Sequence, residues 1–431
     1  MNAQVKFDFP KVPAGKQFTV RLMLAIKGQE QPGKKRRPLN LSLVLDRSGS
    51  MQGKKLSNVK EATRLLVNQL AMDDIFSLVI FDDKVKRLIS PVKIGDAPDL
   101  QSVIGGIRTG GSTFLSGGYE AGCALADKNK GEGYVSRVML LTDGLANVGI
   151  QDPSQLAAYA GKVQKEGITT TTIGVGDDYD ESLLGRIAEH GGGGSYFIET
   201  PDDAPGVFAE ELGCLQSLSA TDCEVKFVTE AEVVRFGQLN TYKVDEDGAY
   251  LVGDVYGGQK KTLVLELELP GMDAAEEVQI GRFELSYRDT MKVQAEKDSI
   301  TLPVTLSVIP TADFIGSVPD YEITLEASFL MVARAKSESL TLADEGRFEE
   351  AANLLEKYVS ALKELNLADG ALLEELRLLA CRARELRERG EDYYTSNERK
   401  RIFHESNMVS KSRMDNYTAM MSRRVEDEEK Q

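Results

Sequence analysis

The chain has 431 residues. This length exceeds the roughly 250 to 300 residues at which a single hydrophobic core stops growing, so at least two domains are expected. A composition of 42% apolar and 28% charged residues excludes a wholly disordered chain. The 52 basic and 68 acidic residues give a formal net charge of −16, which argues against a nucleic-acid-binding surface and against attachment to anionic membranes.

The beginning of the chain has no basic segment followed by an apolar one, and no apolar run approaches the roughly 20 residues that a membrane span requires. We therefore predict a cytoplasmic protein without a membrane span. The four cysteines lack CxxC spacing and only two histidines are present, so zinc sites and Ser-His-Asp triads have almost no residues to draw on.

Segments with alternating apolar residues lie on both sides of the middle of the chain. Residues 1–37 contain two of them, at 4–9 and 18–27. The others fall in residues 219–318, at 223–229, 249–254, 262–269, 278–288 and 300–308. Their period of two and regular spacing predict the strands of a β-sandwich. Because a different pattern separates the two groups, we expect a discontinuous sandwich with another domain inserted in it.

The inserted region, residues 38–218, alternates short apolar runs with amphipathic helical patterns. This alternation predicts an α/β domain with a doubly wound, mostly parallel sheet. The predicted strands are 41–45, 77–81, 135–142, 169–175 and 195–198. The predicted helices lie near 54–71, 114–127, 153–166, 180–190 and 202–216.

Helical periodicity dominates residues 319–390. Two stretches, 351–365 and 372–386, each carry apolar residues at alternating spacings of four and three, which predicts two helices with an apolar seam. The Asp369-Gly370 turn between them completes an αα-hairpin, and we predict a small helical bundle. Residues 391–431 are charged and poor in apolar residues, so they are predicted as a mobile tail with some nascent helix.

Side-chain oxygens follow three of the predicted strands. Asp46, Ser48 and Ser50 end the first strand of the α/β region, Thr113 opens a helix, and Asp143 follows the longest apolar strand. The carboxyl ends of parallel strands line the crevice where ligands bind in an open sheet. Two carboxylates and three hydroxyls are hard ligands that suit Mg²⁺ or Mn²⁺ rather than zinc or copper. Taken alone, the same residue types are also typical of helix caps and turns.

These loops resemble the metal-ion-dependent adhesion site (MIDAS) of von Willebrand factor type A (VWA) domains, such as integrin I domains. Asp46, Ser48 and Ser50 match its DxSxS motif, Thr113 its second-loop threonine and Asp143 its third-loop aspartate, so no ligand is missing. The resemblance covers the α/β region in motif and strand order and implies a Rossmann-like fold. The flanking strands and helices resemble, more loosely, bacterial cytosolic VWA proteins.

The resemblance implies a binding module and not an enzyme. In the family, a divalent cation held by the MIDAS binds an Asp or Glu of a protein partner. Here Mg²⁺ is the expected ion, with Mn²⁺ or Ca²⁺ as alternatives. In bacteria such proteins often work beside MoxR-type AAA+ ATPases, which makes such an ATPase a candidate partner.

A Mg²⁺-dependent hydrolase is one alternative, because a glycine-rich segment from Gly49 to Lys55 follows a strand and opens a helix. A P-loop requires four residues between its glycines and Ser or Thr after its Lys, whereas this segment has three and a second Lys. A phosphotransferase of the haloacid-dehalogenase type would need an acid where Ser48 stands.

A metal-independent scaffold that acts through the C-terminal helices is the other alternative. Apolar helix seams are more typical of an intramolecular core than of a docking groove, which weighs against it. Asp82 and Asp83, after the second strand of the α/β region, are interpreted as a solvated turn at the rim of the metal site.

Overall fold

The fold is that of a computed structural model, which describes residues 1–29, 36–131, 133–145, 147–176, 178–230, 235–290, 292 and 297–411. The chain divides into two compact units. The α/β unit comprises Glu30–Thr221 and Arg288–Glu296, and the second unit comprises Met1–Gln29, Asp222–Tyr287 and Lys297–Gln431. Residues 412–431 of the predicted tail lie outside the described residues.

The first strands of the chain are β1 (Asn2–Phe7), β2 (Lys11–Pro13) and β3 (Phe18–Lys27). β1 pairs antiparallel with β3. These strands belong to the second unit, and their remaining neighbours come from much later in the chain.

The α/β unit then alternates strands and helices. Its elements are β4 (Leu39–Asp46), α1 (Lys54–Gln69), β5 (Ile75–Phe81), β6 (Val85–Lys93), α2 (Leu100–Gly105), α3 (Leu115–Asp127), β7 (Val135–Thr142), α4 (Pro153–Lys165), β8 (Ile168–Val175), α5 (Glu181–His190), β9 (Gly192–Ile198) and α6 (Ala204–Gln216). They form one six-stranded sheet in the order β6-β5-β4-β7-β8-β9. This is the doubly wound α/β sheet that the sequence predicts.

Helices cover both faces of this sheet, and the sequence shows why. Strands β4, β5 and β8 are buried along their whole length, as expected for parallel strands covered on both faces, although β8 contains four consecutive threonines. Leu43 packs in a core with α1, α2 and α6, and its neighbour Val44 points into the opposite core with α3, α4 and α5. The strand order diverges on the two sides of β4, so a crevice is expected at the carboxyl ends of β4 and β7.

Strand β6 is absent from the sequence prediction. It pairs antiparallel with β5 at the edge of the sheet. Its residues are partly buried or exposed except for the buried Ile89, and it contains Pro91 and several basic residues. Charges and proline are common on edge strands because an edge gains from features that block further pairing. The same features removed the apolar pattern from which a strand is recognised.

The strands that follow are β10 (Leu218–Thr229), β11 (Arg235–Gln238), β12 (Tyr250–Tyr256), β13 (Lys260–Leu269), β14 (Ala275–Asp289) and β15 (Asp298–Ile309). They complete a four-stranded sheet in the order β1-β3-β13-β11 and a five-stranded sheet in the order β12-β10-β14-β15-β2. β3 pairs with β13 over ten residues, from Phe18 opposite Leu269 to Lys27 opposite Lys260. Strands from before and after the α/β unit thus share one sheet, and the packing of the two sheets as a sandwich stays a prediction.

The last elements are helices α7 (Thr311–Phe314), α8 (Tyr321–Asp344), α9 (Phe348–Glu364), α10 (Gly370–Arg389) and α11 (Ser396–Ser410). Most residues of the two apolar seams are buried in one core between α8, α9 and α10, with Leu355 and Leu379 fully enclosed, whereas Leu365 at the end of the first seam is exposed. Asp369 caps α10 by accepting a hydrogen bond from Leu372 N. α8 also covers the four-stranded sheet, since its Ile323 packs on Met23 and Val264.

Helix α11 lies inside the region predicted as a mobile tail. Its inward side contains Ile402 and Val409 but otherwise buries polar and charged residues, among them Glu398, Lys400 and Glu405. A helix of this composition lacks the apolar stripe that identifies a packed helix. In the part of the chain that the structure describes, no helix combines the length and the apolar character required to cross a membrane.

Candidate metal centre

The predicted site residues lie at the crevice of the α/β sheet. Asp46 is the last residue of β4, and Asp143 directly follows β7, the neighbouring parallel strand. Thr113 lies two residues before α3. Both carboxylates and Thr113 are buried, whereas Ser50 is exposed. Residues that are almost one hundred positions apart in the sequence are therefore brought together at the carboxyl ends of these strands.

The Asp46 carboxylate is held by two neutral donors. Its Oδ1 accepts a hydrogen bond of 2.7 Å from Ser48 N, and its Oδ2 accepts one of 2.5 Å from Thr142 Oγ1. Burial raises the pKa of Asp46 to about 6, and the nearby charge of Asp143 acts in the same direction. No basic side chain of the described residues lies within ion-pair distance of Asp46. Its negative charge is therefore desolvated without a cation beside it.

A chain of hydrogen bonds joins the two serines to Asp143. Ser48 Oγ and Ser50 Oγ are 3.0 Å apart, and Ser50 Oγ donates to Asp143 Oδ1 at 2.7 Å. Four of the five predicted ligands are thus connected through direct hydrogen bonds, which run from Asp46 through the serines to Asp143.

Thr113, in the second site loop, lies close to Ser50. A methyl group added to Gly144 would lie 3.2 Å from Thr113 Oγ1 and 3.9 Å from Ser50 Oγ. The two hydroxyls therefore border one small space that the missing side chain of Gly144 leaves open. The backbone carbonyl of Thr113 accepts hydrogen bonds from Asn147 N and Val148 N, both at 3.2 Å, which ties the second loop to the third.

Lys55 is part of this site, although the sequence interpretation gave it no role there. Its Nζ lies 2.8 Å from Asp143 Oδ2 and 3.9 Å from Asp178 Oδ2. Its position in the first turn of α1, after a strand and a glycine-rich loop, placed it near the carboxyl edge of the sheet.

Asp82 also has a role that the sequence interpretation missed. The prediction of a solvated turn is wrong for this residue, because it is only 3% exposed. Its Oδ2 forms an ion pair of 2.6 Å with Arg47 Nη2, and its backbone carbonyl accepts from Phe114 N at 2.8 Å. A methyl group on Gly110 would collide with the same carboxylate. Asp82 therefore braces the first and second site loops against each other.

The available ligands define which ions the site suits. Among the described residues, no group of three or more His, Cys, Asp or Glu side chains is placed to hold a metal. The site instead offers two carboxylates and three hydroxyls, a set of hard oxygen ligands that fits Mg²⁺, Mn²⁺ or Ca²⁺ and disfavours zinc. The buried Asp46 carboxylate and the space beside Gly144 are consistent with a small cation.

Hydroxyl and carboxylate side chains thus lie together in the crevice of a doubly wound α/β sheet. Residues 40–209 match the family model of the von Willebrand factor type A domain. The chain therefore contains a VWA domain, as the resemblance of its loops implied.

Two bacterial relatives match beyond this domain. The uncharacterized protein sll0103 of Synechocystis sp. is 28% identical over 73% of this chain and 76% of its own length. The uncharacterized protein YfbK of Escherichia coli is 27% identical over 63% of this chain. The chain spans about half of YfbK, since the match covers 48% of that protein.

Two solved structures share the fold over most of the chain. A von Willebrand factor type A protein from Catenulispora acidiphila has a TM-score of 0.63 at 17% identity, covering 84% of this chain and 89% of that one. The ArnB paralog VWA2 from Sulfolobus acidocaldarius has a TM-score of 0.59 at 17% identity, covering 93% and 97%. At this identity the likeness concerns the fold.

Proposed function

We propose that the VWA domain binds a divalent cation, Mg²⁺ in the first instance, through Asp46, Ser48, Ser50, Thr113 and Asp143. The cation would in turn bind an Asp or Glu carboxylate of a protein partner. The chain would then act as a metal-dependent protein interaction module without a catalytic step.

The observation that carries this proposal is the charge balance of the site. Asp46 and Asp143 are both fully buried, and Lys55 is the one ammonium beside them among the described residues, at 2.8 Å from Asp143. A buried carboxylate is costly without a compensating cation. The donors to Asp46, Ser48 and the Thr142 hydroxyl, are all neutral, so a bound cation would supply the missing charge.

The ligand set also supports recognition of a carboxylate. Because three of the five ligands are neutral hydroxyls, the bound ion would keep enough positive charge to attract an anionic group. Arg47 and the exposed Arg108 stand at the rim and are joined by a hydrogen bond of 3.1 Å from Arg47 Nη1 to the carbonyl of Arg108. The exposed Arg108 guanidinium would favour an acidic side chain locally although the whole chain has a formal charge of −16, whereas the charge of Arg47 is already balanced by Asp82.

The identity of the partner rests on the family resemblance. We propose a bacterial, cytoplasmic multiprotein assembly, with a MoxR-type AAA+ ATPase as one candidate partner. The match to two bacterial relatives over much of the chain supports the bacterial origin.

Calorimetric titration with MgCl₂ and MnCl₂ tests the metal centre. Thr113→Val removes one proposed ligand while it preserves the shape of the side chain, and we expect it to weaken binding at least about tenfold. Thr63→Val is the matched control, because Thr63 is a buried threonine of the same unit whose hydroxyl donates to Val59 O. Absence of binding by the wild-type protein at millimolar metal would disprove the proposal.

A pull-down in Mg²⁺ and in EDTA tests the partner. Capture that requires both Mg²⁺ and Thr113 would support recognition through the metal. Partners retained equally in EDTA, and lost when residues 320–431 are deleted, would favour the metal-independent scaffold instead.

A further inference from the structure

We propose that Lys55 is an intramolecular counter-ion of the metal centre, which stabilises the metal-free domain and lowers its affinity for the cation. This inference rests on the proposed function, since it concerns the same two carboxylates. It adds a residue that sets how readily the site is occupied.

The position of Lys55 at the start of α1 is unfavourable for a positive charge. Lys54 and Lys55 open α1, whose first turn contains no acidic residue and whose N-cap makes no side-chain hydrogen bond. Positive charge at a helix N-terminus opposes the helix dipole. Lys55 Nζ nevertheless points to Asp143 Oδ2 at 2.8 Å, so the buried carboxylate supplies the stabilising interaction for this lysine.

The surroundings of Lys55 allow its ammonium group to lie beside Asp143 and also to move away from it. A methyl group on Gly176 would lie 3.1 Å from Lys55 Cε, so this glycine, with a φ of 69°, leaves room for the lysine side chain. The Lys55 side chain is 24% exposed, and Asp178, 3.9 Å from its Nζ, is 75% exposed. Asp178 thus offers a solvated carboxylate next to the buried one.

The two oxygens of Asp143 are divided between Lys55 and the proposed ligand set. Oδ2 accepts from Lys55, while Oδ1 accepts from Ser50, which is itself a proposed metal ligand. A cation bound on the Ser50 side would share Asp143 with the ammonium. Like charges on one buried carboxylate repel each other, and the repulsion is stronger than in water. Lys55 therefore competes electrostatically with the metal.

The consequence is a centre that remains folded without metal and binds it less tightly than its ligands allow. A partner carboxylate would add the negative charge that balances both cations. Occupation of the site would then depend on the presence of the partner as well as on the metal concentration.

The test compares the full-length wild type with Lys55→Met and Lys54→Met in calorimetric titrations with MgCl₂ and MnCl₂. Methionine keeps an unbranched side chain and removes the charge. Lys54 is the matched control, because it is the exposed neighbour in the same helical turn. We expect Lys55→Met to bind metal at least about tenfold more tightly than wild type, and Lys54→Met to stay within about twofold.

Thermal unfolding provides a second readout. In EDTA, Lys55→Met should melt at a lower temperature than wild type and Lys54→Met, and Mg²⁺ should raise its melting temperature more than that of either. Equal or weaker metal binding by Lys55→Met would overturn the inference, even if the variant melts earlier. If wild type itself binds no metal, the proposed function fails instead, so the two failures are distinguishable.

Discussion

Buried carboxylates occur in both units of this protein, but their cations differ in origin. In the second unit, Lys336 of α8 contacts Glu375 of α10 at 2.7 Å and Glu405 of α11 at 2.8 Å. Arg382 of α10 contacts Glu398 of α11 at 3.0 Å and reaches Glu405 at 3.6 Å. All five side chains are buried. This network is closed, because the chain supplies both the acids and the bases.

The candidate metal centre of the α/β unit is open by comparison. It buries Asp46 and Asp143, and among the described residues Lys55 is the one ammonium beside them, which reaches Asp143 and not Asp46. The difference separates an architectural use of buried charge from a binding use. Where the chain supplies the cations, the charges join helices to one another; where it leaves a carboxylate without one, a ligand can complete the site.

The largest expected effect comes from opening the closed network. Lys336→Met would leave Glu375 and Glu405 buried without their shared ammonium, and breaking a buried pair in this way costs about 3 to 5 kcal/mol. Urea unfolding followed by circular dichroism would measure the loss. Arg377→Gln is the control, because Arg377 and Glu374 form an ion pair on α10 with side chains that are 62% and 39% exposed, and such pairs contribute below about 1 kcal/mol. Equal effects of the two variants would contradict the comparison.

A pH dependence should follow from His404, which is buried on α11. Burial lowers the pKa of His404 to about 4, and the charge of Lys400 contributes. An unfolded histidine titrates near pH 6.5, so between pH 6.5 and 4 the unfolded state binds a proton that the folded state does not. The free energy of unfolding is therefore highest, as far as His404 is concerned, above about pH 6.5. It falls as the pH drops toward 4, by about 3 kcal/mol at most.

Urea unfolding at several pH values between 7.5 and 4 would measure this loss. A His404→Gln variant removes only the imidazole and keeps the other charged groups that are buried around α11, so a difference from wild type reports on His404. Those groups are Lys336, Glu375, Arg382, Glu398, Lys400 and Glu405. We expect a flatter pH profile for the variant. Parallel profiles would show that another group controls the acid response.

The same contrast explains which features the sequence revealed. Asp46, Thr113 and Asp143 were predictable because each follows or opens an element with a clear apolar pattern, and the sheet topology then brings the loop residues together. Helix α11 was not predictable as a packed helix, because its inward face contains Glu398 and Glu405. In a sequence, buried charged residues give the same pattern as solvated ones, because their partners lie on other helices.

Lys55 and Asp82 were missed for a related reason. Lys55 follows a glycine-rich loop and Asp82 follows a strand at a turn, and charged residues at both kinds of position are usually expected to be exposed. Their roles depend on distances to Asp143 and Arg47, which are far away in the sequence. Sequence spacing locates the loops of such a site, but the pairing of its charges is decided by the fold.

The smallest of these effects has the opposite sign and tests the open site directly. Asp46→Asn would remove a desolvated carboxylate whose pKa is raised to about 6, and we expect it to stabilise the protein in EDTA at pH 7.5 by about 2 kcal/mol. Because the raised pKa favours the protonated form in the folded state, the gain should shrink as the pH falls from 6 toward 4. The Thr142 hydroxyl can accept from the new amide, so the substitution is compatible with the local hydrogen bonding.

Asp74→Asn is the matched control for this prediction. Asp74 is equally buried in the same unit, but its carboxylate pairs with Arg36 Nη2 at 2.6 Å and accepts from Leu39 N at 2.7 Å. Its neutralisation should destabilise the protein, since it leaves the Arg36 guanidinium without its charged partner. With Mg²⁺ present, wild type should gain stability while Asp46→Asn does not. If Asp46→Asn instead unfolds more easily than wild type in EDTA, the two neutral donors already satisfy Asp46, and the charge argument for a cation there is lost.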